Sequence, residues 1–315
     1  MKSKPRIVSG IQPSGKLHVG NYLGAIKNFV DLQNSGDYDC FYFIADLHSL
    51  SETYDPRKKR EDVYELLASL LALGLDPNKS TIFLQSQITG HTELAWLFST
   101  VIPVSELERM TQYKNKAARQ KTNINAALLT YPILQAADVL LYNGELVPVG
   151  KDQEQHIELI RVIAKKMNAK FGTAFPESKP LFTHAPKIMS IRDPQKKMSK
   201  SLGDAHVLNI FDDEASNVKK IAKAVTGTDL NSPDAKSFLA LYTHFCDQNP
   251  SGNFSDMKAE LTIAFTKYFL HKRETYLELL NKPKNLDVIL DKGRAKAQPI
   301  ATETLNKTKQ KMGLL

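Results

Sequence analysis

Apolar residues follow two alternating rhythms along this chain. Arg6-Ile7-Val8-Ser9-Gly10 is a short run suited to a buried strand, and Gln12-Pro13-Ser14-Gly15 after it has turn composition. From there Leu17, Val19, Tyr22, Leu23, Ile26 and Val30 fall near helical spacing. The order strand, loop, helix then repeats. Cys40-Phe41-Tyr42-Phe43-Ile44 predicts a strand ahead of a helix from about Pro56 to Gly74, and Thr81-Ile82-Phe83-Leu84 a strand ahead of a helix around His91 to Thr100. Leu146-Val147-Pro148-Val149 adds another strand, with Asp152 to Met167 strongly periodic behind it. Alternation of this kind predicts a parallel sheet with helices on both faces.

Beyond about residue 205 the strand signals stop. Phe211 to Val225, Asp234 to Cys246, Phe254 to Leu280 and Leu286 to Met312 all favour helix, separated by punctuation such as Asn249-Pro250-Ser251-Gly252. The fold class expected is α/β: a Rossmann-like parallel sheet that binds nucleotides, residues 1–204, followed by an all-helical domain. The helical part is divided into residues 205–295 and a C-terminal helix, 296–315, that packs back on the sheet domain.

Composition narrows the class. A chain of 315 residues with 42% hydrophobic and 24% charged positions is ordinary for a globular protein of about two domains. The opening residues MKSKPRIVSG carry no apolar run of signal-sequence length, and no later stretch is long enough to span a bilayer, so a cytoplasmic protein without a membrane partner is expected. Cys40 and Cys246 are too few for a disulfide framework, a four-cysteine zinc site or an iron–sulfur cluster.

The net charge of +8 is unevenly placed. Arg109 to Lys121 holds five cations and no acid, and Asn281 to the end holds eight Lys or Arg against Asp287, Asp291 and Glu303. Such patches concentrate polyanions such as RNA, although a basic surface with no partner has the same composition.

Two loops carry candidate chemistry. KKMSKS, Lys196 to Ser201, sets three cations and two hydroxyls just after the turn-forming Asp193-Pro194. PSGKLHVGN, Pro13 to Asn21, lies where a first parallel strand gives way to a helix, the place at which open sheets bind ligands and backbone N–H groups meet anions. There His18 and Asn21, one turn apart, are placed to donate to phosphate oxygens, and Gly20 lets a flat purine approach the backbone. Alone, the first reads as a solvated loop and the second as a capped helix with an incidental histidine; together, in this order around an α/β region, each supports the other.

The pair is similar to the HIGH and KMSKS signatures of the class I aminoacyl-tRNA synthetases. SGIQPSG with GNYLGA, ELERMTQYK, LLTYPILQAADVLLYN and VPVGKDQEQHIELIR narrow the resemblance to the bacterial-type tryptophanyl-tRNA synthetases, densely from Arg6 to Ser201 and weakly over the helical remainder. The resemblance implies a tryptophan–tRNA ligase: ATP activates tryptophan to tryptophanyl-adenylate with release of pyrophosphate, and the tryptophanyl group passes to the terminal ribose of tRNA(Trp). It further implies a homodimer, magnesium bound with ATP, and anticodon reading by the C-terminal helices.

Because the amino acid's own carboxylate attacks the α-phosphate, catalysis rests on positioning and charge stabilisation. By resemblance Lys116, Lys197 and Lys200 serve the phosphates. Gln12, Pro13, Ser14, His18, Gly20 and Asn21 line the ATP site, as do Gly150, Lys151, Asp152 and Ile188 and the loop Lys197, Met198, Ser199, Lys200 and Ser201. Asp152 is placed to accept from ribose hydroxyls, or it is simply a helix cap. Asn21 stands at the second histidine of the idealised signature, as is usual in the family.

Indole offers one polar atom, an N–H that only donates, so a pocket selecting tryptophan wants a buried acceptor. Asp138, in the otherwise apolar Ala136-Ala137-Asp138-Val139-Leu140-Leu141, supplies it; an exposed Asp138 or one paired with a cation is the competing reading. Gln135, one turn earlier, shares its face where other members often carry methionine. Tyr131 and His48 complete the tryptophan-binding set, His48 alternatively being a satisfied histidine at a strand end. Three rivals stand beside this reading: a tyrosyl-tRNA synthetase, a small-molecule nucleotidyltransferase and a non-catalytic RNA-binding paralogue.

Overall fold

The structure is a computed structural model that describes residues 4–114, 125–182, 188–251 and 253–315. Strands β1 (Arg6–Ile11), β2 (Asp39–Ile44), β3 (Thr81–Leu84), β4 (Leu146–Val149) and β5 (Lys179–Phe182) form one sheet in the order β3-β2-β1-β4-β5. Every pairing is parallel, from Arg6 opposite Asp39 to Val149 opposite Phe182. The chain moves outward in one direction from β1 through β3 and in the other from β4 to β5. The sheet therefore has its switch point between β1 and β4, where a crevice opens beyond the strand ends.

The two-residue period of the strands feeds two cores. Ile7, Cys40, Tyr42 and Ile44 face one side and Val8, Phe41 and Phe43 the other. The first face is covered by α1, which runs through Val19–Asn21, a π turn at Tyr22–Ile26 and Lys27–Ser35, and by α2 (Lys59–Ala72). The second is covered by α3 (Gly90–Ser99), α5 (Ala126–Leu140) and α6 (Glu154–Phe171), with the short α4 (Val104–Glu108) nearby.

Beyond residue 205 the described residues form α7 (Glu214–Ala222), α8 (Ala235–Phe245), α9 (Phe254–Leu280) and α10 (Pro283–Lys311), and no strand among them. Helix α7 is shorter than the periodicity of Phe211 to Val225 predicts, because the Asp213 carboxylate accepts from Ser216 N at 2.8 Å and fixes the start. Helix α10 begins at Pro283 and not at Leu286, proline being well suited to a first turn. The strand that periodicity does not reveal is β5, an edge strand interrupted by Pro180.

The helical part is joined to the sheet by packing as well as by chain. Ile7, Tyr22, Leu208, Phe238 and Phe265 belong to one buried cluster. Helix α10 lies along β3, the other edge strand, and at Gly293 a methyl group would come within 1.7 Å of the Ile82 carbonyl oxygen. This close approach covers an open sheet edge. The division at 295/296 falls inside α10, which continues unbroken; its far end meets the sheet half through Lys309 to Glu93 at 2.7 Å and Asn143 Nδ2 to Thr304 Oγ1 at 3.3 Å.

Candidate active site

A cavity of about 320 Å³ lies at the switch point. The ends of β1 and β4 supply Gly10 to Gln12 and Val147 to Gly150, α1 supplies Ala25 and Phe29, and α5 supplies Tyr131, Gln135 and Asp138. Those three α5 residues share a face because they are four and three positions apart. His48, opening the short turn His48–Ser51 beyond β2, completes one wall.

Asp138 is 1% exposed and already engaged. Its Oδ1 accepts from Gln85 Nε2 at 2.7 Å and lies 2.6 Å from His91 Nδ1, while Oδ2 lies 2.6 Å from His48 Nε2. Burial alone would push the carboxyl up, but the charge and hydrogen bond of His48, joined by the hydrogen bond of His91, outweigh it and hold the pKa down at about 2. The acid is thus kept ionised by protein partners. A sequence reading in which only a bound ligand relieves its burial misses those partners, which come from positions 48, 85 and 91.

The two motif loops sit side by side. Val19 N donates to Leu208 O at 2.9 Å and Ile210 N to Leu17 O at 3.0 Å, tying the segment after KMSKS to the first loop. A small hairpin, with Ser190 N to Lys196 O at 2.8 Å and Met198 N to Ile188 O at 3.0 Å, sets the base of the lysine loop. Lys200 Nζ donates to Ser14 O at 2.8 Å, and Ser14 is two residues from Gln12 in the cavity wall. Burial lowers the Lys200 pKa, an effect that Asp62 and Glu65 oppose.

His18 is 7% exposed, and its Nδ1 has no hydrogen-bond partner among the described residues. Burial, then the charges of Lys200 and Lys197, push its pKa down to about 4, so the ring is neutral at pH 7. Asn21 Oδ1 accepts from His18 N at 3.1 Å, leaving the Asn21 amide N–H groups as donors. A methyl group on Gly20 would lie 3.0 Å from His18 Nδ1 and 3.6 Å from Ile188 Cβ, so this glycine permits close approach between the loops.

Of the residues expected from sequence, Gln12, His48, Tyr131, Gln135, Asp138 and Gly150 line the cavity. Pro13, Ser14, His18, Gly20 and Asn21 gather with Ile188 and Lys197 to Ser201 in the adjoining loop pair. Met198 and Ile188 are buried there, Lys197 is exposed, and the Ser199 and Ser201 hydroxyls pair at 2.9 Å. Lys151 and Asp152 are exposed beside Gly150; Asp152 caps no helix and accepts from Gln153 Nε2 at 3.1 Å. Lys116 lies outside the described residues. Sequence reasoning passed over Gln112, Gln153 and His156 in the wall, and Gln85 and His91 behind it. Gln85 directly follows β3, a position that the rule of ligands beyond strand ends flags.

Comparison with known proteins agrees with this geometry. Residues 1–283 match the family described as tRNA synthetases class I (W and Y). The chain is 40% identical to a tryptophan–tRNA ligase of Bacillus anthracis, covering 98% of each chain. It is 38% identical, again over 98% of each, to one of Caldanaerobacter subterraneus. A solved Campylobacter jejuni tryptophanyl-tRNA synthetase, complexed with ADP and tryptophane, superposes with a TM-score of 0.86 at 36% identity over 98% of this chain and 100% of its own.

Proposed function

The chain belongs to the class I aminoacyl-tRNA synthetases, on the bacterial tryptophan branch, and we propose from that premise how its cleft works. Its activity is that of a tryptophan–tRNA ligase driven by ATP. The observation that carries the residue assignments is the adjacency of two features. An ionised acid is buried in the wall of an aromatic-sized cavity, and a cationic loop is latched two residues from that same wall.

In the proposed arrangement, tryptophan enters the cavity with its indole N–H donating to Asp138 and its ring among Phe43, Tyr131 and Gln135. The nucleotide lies across the loop pair, with Asn21 and neutral His18 as donors to phosphate oxygens and Asp152 as acceptor for ribose hydroxyls. The tryptophan carboxylate attacks the α-phosphorus, the bond to the bridging oxygen breaks, and pyrophosphate leaves with the charge that Lys197 and Lys200 neutralise. A ribose hydroxyl at the end of tRNA(Trp) then attacks the adenylate carbonyl, and AMP departs. Magnesium would arrive bound to the ATP phosphates and share their charge.

Exposed Lys282, just before α10, and Lys284, Lys292, Arg294 and Lys296 on it give the tRNA backbone a basic surface. Trp96, 72% exposed on α3, and Val104 are apolar side chains available to a homodimer contact. No described helix is long and apolar enough to cross a membrane. ATP–pyrophosphate exchange screened over the twenty amino acids tests the whole reading: exchange with tryptophan is expected to exceed the others by orders of magnitude, and dominant exchange with tyrosine would overturn it.

A further inference from the structure

A carboxylate has about four acceptor positions, two on each oxygen. Protein side chains occupy three on Asp138: Gln85 Nε2 and His91 Nδ1 both meet Oδ1, and His48 Nε2 meets Oδ2. Gln85 and His91 are fully buried and do not line the cavity, whereas His48 does. Among the described residues one position is left, on Oδ2, the oxygen beside the cavity-lining histidine.

The His91 ring is held from both ends. Its Nδ1 approaches a carboxylate oxygen to 2.6 Å, which requires a proton on that nitrogen, since two lone pairs would repel. Its Nε2 lies 2.8 Å from the hydroxyl of Tyr142, itself fully buried. Burial, then the Asp138 charge, pushes the Tyr142 pKa up, so the phenol keeps its proton. In the neutral ring a consistent order runs from Tyr142 Oη–H into Nε2 and from Nδ1–H into Asp138 Oδ1.

We infer that His91, its tautomer fixed by Tyr142, is a positioning residue for amino-acid selection: with Gln85 it fills Oδ1, so that the single acceptor left on Oδ2 reads a ring N–H. This rests on Asp138 being the indole acceptor. His91 touches no substrate and acts through Asp138.

The test compares the dissociation constants of tryptophan and β-(benzothiophen-3-yl)alanine, in which sulfur replaces the ring N–H, for the intact protein and for Asp138→Asn, His91→Asn and His91→Gln. An asparagine amide reaches the place of Nδ1 and keeps the donor to Asp138; a glutamine amide lies nearer the place of Nε2 and does not. The preference for tryptophan is expected to persist in His91→Asn and to fall about tenfold in His91→Gln, the loss of one charge-assisted hydrogen bond, with the KM for ATP unchanged in both. A packing role alone would move both variants alike, so equal loss, or no loss in either, overturns the inference. If the intact protein shows no preference, or Asp138→Asn keeps it, the Asp138 reading itself fails. A nitrogen NMR spectrum of the unsubstituted protein needs no variant: the His91 proton is expected on Nδ1 at neutral pH, and a proton on Nε2 alone would also overturn the inference.

Discussion

Neutral His18 makes stability depend on pH in a way that can be worked through. Its pKa falls from 6.5 to about 4, first by burial and then by Lys200 and Lys197, whereas the unfolded chain keeps the ordinary value. Below pH 6.5 the unfolded state binds a proton that the folded state refuses. The contribution is therefore fully present above 6.5 and is lost as pH falls toward 4. At pH 5 the difference amounts to about 2 kcal/mol, and by pH 4 to about 3 kcal/mol, from 1.36 kcal/mol for each unit of pKa difference. The side chain is 7% exposed, so solvent screening does not reduce this much. Urea unfolding of the intact protein and of His18→Asn at pH 8, 6 and 5 isolates the effect, because other titrating groups cancel in the comparison. The intact protein is expected to lose about 2 kcal/mol more than the variant between pH 8 and 5. Parallel curves for the two proteins would refute a buried, neutral His18.

Other expected outcomes follow from named contacts. Asp138→Asn replaces an acceptor-only group with one whose NH2 faces other donors, so tryptophan affinity should fall about 10- to 150-fold, the 1.5–3 kcal/mol of a hydrogen bond to a charged group, with ATP affinity nearly unchanged; equal losses for both in calorimetry would contradict it. Lys200→Met removes a charge from the lysine loop and should slow adenylate formation in single-turnover assays by about two to three orders of magnitude, leaving the tryptophan dissociation constant as it was. Tryptophan affinity falling in step with the rate would exclude that role. Gly293→Ala drives a methyl into the Ile82 carbonyl and should lower stability by about 1–3 kcal/mol or more in urea unfolding, whereas an unchanged midpoint would mean that α10 does not seat on β3 as described.

The sequence by itself determined much that depends on neighbours in the chain. The alternation of Ile7 and Val8, and of Tyr42 and Phe43, assigns side chains to opposite cores because successive strand residues point to opposite faces. The spacing of Tyr131, Gln135 and Asp138 places them on one helical face for a similarly local reason. The two motif loops were legible as residue types, and so was the family. Long-range contacts belonged to the tertiary structure. Nothing near Asp138 in sequence announces Gln85 or His91, since hydrogen bonds across 53 and 47 positions leave no periodicity behind. The edge strand β5 was hidden by Pro180, which is tolerated there because an edge strand has a side with no neighbouring strand to miss an N–H. Likewise the seating of α10 on β3 depends on a missing side chain at Gly293, and a glycine in a helix pattern says that something comes close without saying what. Folding supplied the partner in each case, and with it the charge state of Asp138 on which the proposed selection of an indole rests.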